Sequence, residues 1–287
     1  MAHVAVVTDS VACLSPERRA ELGIGMVGIR ISLDGEEFRD SVDLTSEEFY
    51  ARLGTFQTHT TAAPSVGDWV EEFERLVDAG AEQLLVVTVA ANLSATYNSA
   101  RTAAELMSVP TVVVDSRTAS AAEGMFVRRL AEEARAGASL EELAARAEQR
   151  RGGYSSEFVL AGLDRLAKSG RMPAAMARLG DAMHLKPMLL IKESGELRPS
   201  GAARGLDRGI DRLHRRALEA LPPGTPARAA VTHALLEEEA NALARRLTED
   251  RPELDLEVVV FSPVMGSHTG PIVGMEWEDP AIAAEAG

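Results

Sequence analysis

"QLLVVTVAANLSATYNSA", residues 83–100, joins an unbroken apolar run to a polar turn and then to a helical stretch. A run of valine and leucine without a polar face suits a strand covered on both sides. Ser94 stands where the chain changes period. That is the place of a helix N-cap, whose side-chain oxygen takes a free amide of the first turn. Strand, short turn and helix in that order are the repeating unit of a parallel α/β sheet.

The unit recurs along the chain. "HVAVVT" (3–8), "PTVVVDS" (110–116), "SEFVLAG" (156–162), "KPMLLI" (186–191), "ARAAVTH" (227–233) and "LEVVVF" (256–261) read as further strands. Between them, "TAAELM" (102–107), "MFVRRLAEEARA" (125–136), "LDRGIDRLHRRALEAL" (206–221) and "LLEEEANALARRLTED" (235–250) read as helices. Thr45 with Glu48 and Ser139 with Glu142 have capping-box spacing, in which each side chain satisfies the other residue's exposed amide. "SGELRPSG" (194–201) reads as a turn in a short hairpin, so the second half is expected to be mixed rather than purely parallel. "LPPGTP" (221–226) is a loop between a helix and the next strand. The expected fold class is α/β in two domains, a three-layer parallel-sheet domain and a mixed one. The boundary is expected at "RRGGYSS", dividing 1–152 from 153–287.

Composition narrows the function. The chain has 287 residues, 46% hydrophobic and 26% charged, with a net charge of −14. That charge repels nucleic acid and anionic membranes. The lone Cys13 excludes an internal disulfide and a cysteine-rich metal site. No run approaches the ~20 apolar residues of a membrane helix, and "MAHVAVVTDS" lacks the basic and apolar regions of a signal peptide. A cytoplasmic protein without stable membrane insertion is the expectation.

In open α/β sheets ligands bind beyond the carboxyl ends of the strands. Those ends carry Asp9 and Ser10, Ser94, Asp115 and Ser116, and Ser267, His268 and Thr269; Thr61 sits in a polar stretch before a helix beginning near Ser65. A serine at a helix N-terminus helps hold an anion, although Ser94 read alone is equally a plain cap, and Thr61 a plain turn residue. Gly266 and Gly270 flank His268 and let backbone approach a ligand closely. The phosphate-loop, dinucleotide, zinc-protease and C-x-x-C signatures are absent. "ANLSATY" lacks the glycines of a G-x-S-x-G nucleophile elbow.

Six segments in order resemble the DegV family of bacterial fatty-acid-binding proteins. They are "VTDSVACLS" (7–15), "TTAAPSVGDW" (60–69), "VAANLSATYNSA" (89–100), "LDRLAKSGRM" (163–172), "HLKPMLLIKESGEL" (184–197) and "GSHTGP" (266–271). The resemblance implies two α/β domains with a lipid pocket between or beneath them. It implies that Thr61, Ser94 and His268 surround a long-chain fatty-acid carboxylate, supported by Ala95, Thr96, Arg171 and Ser267. It implies a non-catalytic carrier that presents the fatty acid to a separate ATP-dependent fatty acid kinase for acyl-phosphate formation, in phospholipid metabolism. No metal is implied, and no cofactor beyond the bound fatty acid.

The sequence departs from the family pattern at Ala62, Ala63, Ala95, Ser169 and Ile272. Residues around Ile29, Met125, Phe158 and Met188 could line the acyl slot, although each also fits an ordinary core. The competing reading is a serine hydrolase or acyltransferase acting on acyl substrates. Ser94 would be its nucleophile, His268 its base and Asp9 or Asp115 the orienting carboxylate.

Overall fold

The computed structural model describes residues 3–171 and 185–285; Met172 and His184 of the quoted motifs lie outside them. The chain forms two compact units. The first comprises residues 1–151 together with Ser262–Val264, and the second the remainder.

The first unit runs β1 (Val4–Asp9), α1 (Pro16–Leu22), β2 (Gly25–Val27), β3 (Arg30–Leu33), β4 (Glu36–Arg39), α2 (Ser46–Arg52), β5 (His59–Ala62), α3 (Val66–Asp78), β6 (Gln83–Thr88), α4 (Thr96–Ala104), β7 (Thr111–Asp115), α5 (Ser120–Arg135) and α6 (Leu140–Arg150). Its main sheet has the order β2-β1-β6-β7, and every pairing is parallel. All six residues of β1 are buried because both faces are covered. Ala5, Val7, Leu84 and Val86 pack with Trp69, Phe73, Ala100 and Ala103 of α3 and α4, while α5 and α6 lie against the other face. That is the expected three-layer sandwich. The capping boxes at Thr45/Glu48 and Ser139/Glu142 are both formed, and Ser65/Asp68 makes a third.

A small antiparallel sheet, β4-β3-β5, was not anticipated. Its first hairpin turns on Asp34 and Gly35, with φ of 49° and 89°. These are the two positive-φ positions of a type I′ turn, where Asp-Gly is favoured.

The second unit runs β8 (Tyr154–Leu160), α7 (Asp164–Lys168), β9 (Leu185–Ile191), β10 (Leu197–Arg204), α8 (Leu206–Ala220), β11 (Arg228–Ala234), α9 (Glu237–Asp250), β12 (Asp255–Val260), α10 (Pro263–Thr269), β13 (Ile272–Glu278) and α11 (Pro280–Glu285). Its six-stranded sheet is mixed, in the order β10-β9-β8-β13-β11-β12. Only β11–β12 is parallel. The hairpin expected at 194–201 is present as β9–β10. One face of the sheet packs Val159, Met188, Val231, Val273 and Met275 against Ile210, Leu213, Leu243 and Leu247 of α8 and α9. On β13, Gly274 pairs with Phe158 on one side and Thr232 on the other. A Cβ there would come within 2.6 Å of the Phe158 ring and would also strike Thr232, so the strand centre admits only glycine.

Candidate functional site

The strand order of the first unit locates its ligand crevice. From β1 the chain steps to β2 on one side, and later to β6 and β7 on the other. The topological switch therefore falls between the carboxyl ends of β1 and β6, where ligands of open α/β sheets bind. Asp9 spans that point. Its carboxylate accepts the Val11 amide at 3.0 Å and the Val89 amide, just past β6, at 2.8 Å. Full burial nevertheless pushes its pKa from 3.8 up to about 7, against the lowering by those two amides and with a further rise from nearby Asp40.

Ser94 lies in the turn that follows β6, half-buried. Its backbone amide donates to the Ala90 carbonyl at 3.3 Å, while the Ala90 amide donates to the Thr118 carbonyl at 2.8 Å. The turns after β6 and β7 are thereby tied together above the sheet. Ser94 is not itself the N-cap, as the sequence had suggested. Ala95 holds that position, with no side-chain bond, and α4 starts at Thr96. The reason is local: the Ser94 hydroxyl accepts the Thr96 amide at 3.3 Å and lies 2.7 Å from the Thr96 hydroxyl. Two hydroxyls and the open first turn of α4 therefore sit side by side. Thr96 is fully buried. Thr61 lies in β5 rather than in a loop, because it pairs with Ile31 of β3; it is half-buried.

The other expected residues lie in the second unit. His268 is on a helix, α10, and not on a glycine loop. Pro263 supplies the fixed φ suited to a first helical turn, and Gly270, at φ 63°, ends the segment in the left-handed conformation. His268 is half-buried and Ser267 fully buried. Arg171 is exposed; its guanidinium donates to the Ser169 carbonyl at 2.6 Å and its amide donates to the Ser169 hydroxyl at 3.2 Å. Ser169 thus serves as the anchor of Arg171. Ile272 opens β13, buried, whereas Ala62 is exposed and Ala63 half-buried.

Of the four suggested lining residues, Met188 belongs to the core beneath α8 and α9. Phe158 meets Phe261 edge-on at 5.9 Å between ring centres. Ile29 and Met125 are buried in the first unit.

The carboxylates named for a Ser94–His268 hydrolase, Asp9 and Asp115, both accept backbone amides. Asp9 holds two amides, and Asp115 accepts the Ala91 and Arg117 amides at 3.0 Å each.

Asp40, which the sequence did not single out, is a buried acid of the first unit that takes several hydrogen bonds. Fully buried, it accepts the hydroxyls of Ser10 at 2.9 Å, Ser41 at 3.0 Å and Ser262 at 2.8 Å, and the Val264 amide. Burial outweighs these donors and pushes its pKa up to about 6. Glu123 of α5, also fully buried, accepts the Thr8 hydroxyl at 3.2 Å. Among the described residues, no group of three or more His, Cys, Asp or Glu is placed to hold a metal ion. No helix there is long and apolar enough to cross a membrane.

Comparison with known proteins matches this architecture. A DegV domain-containing protein of Streptomyces coelicolor is 33% identical over 94% of this chain and 95% of its own. The crystal structure of DegV from Bacillus subtilis, described as a fatty acid binding protein, superposes with a TM-score of 0.89 at 26% identity, covering 97% of this chain and all of that one. A Thermus thermophilus DegV family protein, described by its fatty acid binding, gives 0.86 at 29% identity over 96% of this chain and 99% of that one. The family model described as "Uncharacterised protein, DegV family" matches residues 3–278, and the chain belongs to the DegV family.

Proposed function

We propose that this protein is a non-catalytic carrier of a long-chain fatty acid. The observation that carries the reading is the near full-length likeness to the Thermus and Bacillus DegV proteins, which are described as binding fatty acids. The site chemistry supports it. Burial of an acyl chain contributes about 0.8 kcal/mol per methylene before ordering costs, so the head group needs only a few orienting donors. Thr61, Ser94 and His268 are assigned to the carboxylate. Thr96 and the first-turn amides of α4 support it, with Ala95 offering an N–H where no side chain is needed; Ser267 and Arg171 back the histidine. The division into domains 1–152 and 153–287, with a cytoplasmic location, completes the reading. The carrier delivers its fatty acid to a separate ATP-dependent kinase, which forms an acyl phosphate for phospholipid synthesis.

Native mass spectrometry of the purified protein, with lipid extraction from the same sample, tests this directly. A stoichiometric fatty acid is expected. Protein that is empty and also rejects added palmitic and oleic acids would end the carrier reading. Ser94→Ala removes one hydrogen bond to a charged group and is expected to weaken palmitate binding about tenfold. His268→Ala is expected to lower acyl-phosphate formation by a competent kinase more than it lowers fatty-acid retention. Equal acyl-phosphate yield from the variant would remove His268 from the transfer step. A fluorophosphonate probe is expected to leave Ser94 unlabelled; labelling would restore the hydrolase.

A further inference from the structure

We propose that Asp40 is the positioning residue for His268, holding the start of the helix that carries it. The inference rests on the carrier reading above for its functional consequence, and on the structure for its geometry.

Asp40 follows β4, far in sequence from α10, yet the Ser262 hydroxyl donates to its Oδ2 at 2.8 Å and the Val264 amide donates to the same carboxylate. Ser262 directly precedes α10 and Val264 is its second residue. Ser262–Val264 belong to the first unit, although the chain on either side belongs to the second. Asp40 is itself immobilised. Its amide donates to the Ile29 carbonyl at 2.8 Å, its other oxygen takes the Ser41 hydroxyl at 3.0 Å, and Ser10 donates to Oδ2 at 2.9 Å while accepting the Ile29 amide at 3.1 Å. Asp40 and Ser262 are both buried, at 0% and 2% exposure, so water does not compete for these bonds.

The consequence is mechanical. A helix rises 1.5 Å per residue, so His268 stands about 9 Å from Ser262 along α10. Over so short a helix the hydrogen-bonded backbone links the first turn to the last, so fixing the first turn biases where the last turn points. An imidazole that must meet a carboxylate needs that precision, because a misplaced group loses most of its contribution. A structural anchor alone does not require that the two bonds be made by the segment leading into the histidine.

The test uses the full chain, with histidine side chains labelled for NMR. Ser262→Ala removes the hydroxyl at α10 and leaves Asp40 in place. Ser10→Ala removes the other hydroxyl on the same carboxylate oxygen and leaves the α10 contacts intact. In Ser262→Ala the His268 ring signals and titration midpoint are expected to shift, while those of His3, His59, His214 and His233 stay in place. Palmitate binding is expected to weaken about three- to tenfold, the value of one hydrogen bond. Ser10→Ala is expected to leave the His268 signals where they are. Unchanged His268 signals in folded Ser262→Ala, or equal shifts in both variants, would overturn the proposal. A wild-type protein that does not bind palmitate would sink the carrier reading alone, since the NMR comparison still decides whether Asp40 positions the ring.

Discussion

Replacing Trp69 by alanine is expected to lower stability by about 3–5 kcal/mol, the range for deleting a fully buried large aromatic side chain. Trp69 is 0% exposed. Its ring packs on Phe73 with centroids 5.7 Å apart, inside the cluster that seats α3 and α4 on the parallel sheet. It also carries a polar link: the indole N–H donates to the Ser99 hydroxyl at 3.1 Å, and that hydroxyl donates to the Thr96 carbonyl at 3.0 Å. The alanine variant therefore loses packing and frees the first turn of α4, next to Ser94. Trp69→Phe keeps most of the volume and is expected to cost about 1 kcal/mol for the missing hydrogen bond. Guanidinium unfolding followed by circular dichroism checks both variants, since Trp277 complicates fluorescence. A loss below about 1 kcal/mol for the alanine would mean that the cavity collapses and that α3 is not held by this residue.

The parts of the fold that were legible share one physical feature, covered apolar strands. β1 and β6 are buried on both sides and read as unbroken apolar runs, and β7, half-buried at the sheet edge, reads the same way. β13 was not read, although its period of two is present. Val273, Met275 and Trp277 face the α8/α9 core, but the alternate positions hold Gly274, Glu276 and Glu278. Glutamates on a strand usually mark a wetted face, whereas here both are fully buried and Glu276 accepts the Ser156 hydroxyl at 2.9 Å. The β3–β4 hairpin carried a usable signal, Asp34-Gly35 between two short runs. Polar Arg30, Ser32, Glu36 and Glu37 obscured it. Pro263 likewise marked the start of α10, but the glycines beside His268 suggested a loop. Asp40 was beyond reach. Its partners Ser10 and Ser262 lie 30 and 222 residues away, and no local pattern announces a contact made by chain return.

Raising the pH is expected to weaken the protein through its buried carboxylates, and Asp9 supplies the larger share. Burial pushes Asp9 from 3.8 up to about 7, and Asp40 up to about 6. An acid whose folded pKa lies above its unfolded value holds a proton in the native state that the unfolded chain has released. Its stabilisation is complete below pH 4 and is lost as pH rises through the folded pKa. For Asp9 the loss between pH 4 and pH 8 amounts to roughly 4 kcal/mol, at 1.36 kcal/mol per pKa unit. His214 and His233 act in the opposite sense. Burial lowers both, so protonation of the unfolded chain below its ordinary histidine pKa of 6.5 costs stability on the acid side. The informative quantity is therefore the difference between wild type and Asp9→Asn, in which the histidines cancel. The amide cannot ionise, and its NH2 faces one of the two backbone donors that the carboxylate satisfied, so the variant is expected to be the weaker protein at pH 4.5. Its deficit is expected to shrink and then reverse by pH 8, as wild type alone bears the cost of a buried charge. Guanidinium unfolding of both proteins across that range measures the difference. A deficit that stays constant with pH would show that Asp9 is ionised throughout, its two amides outweighing its burial.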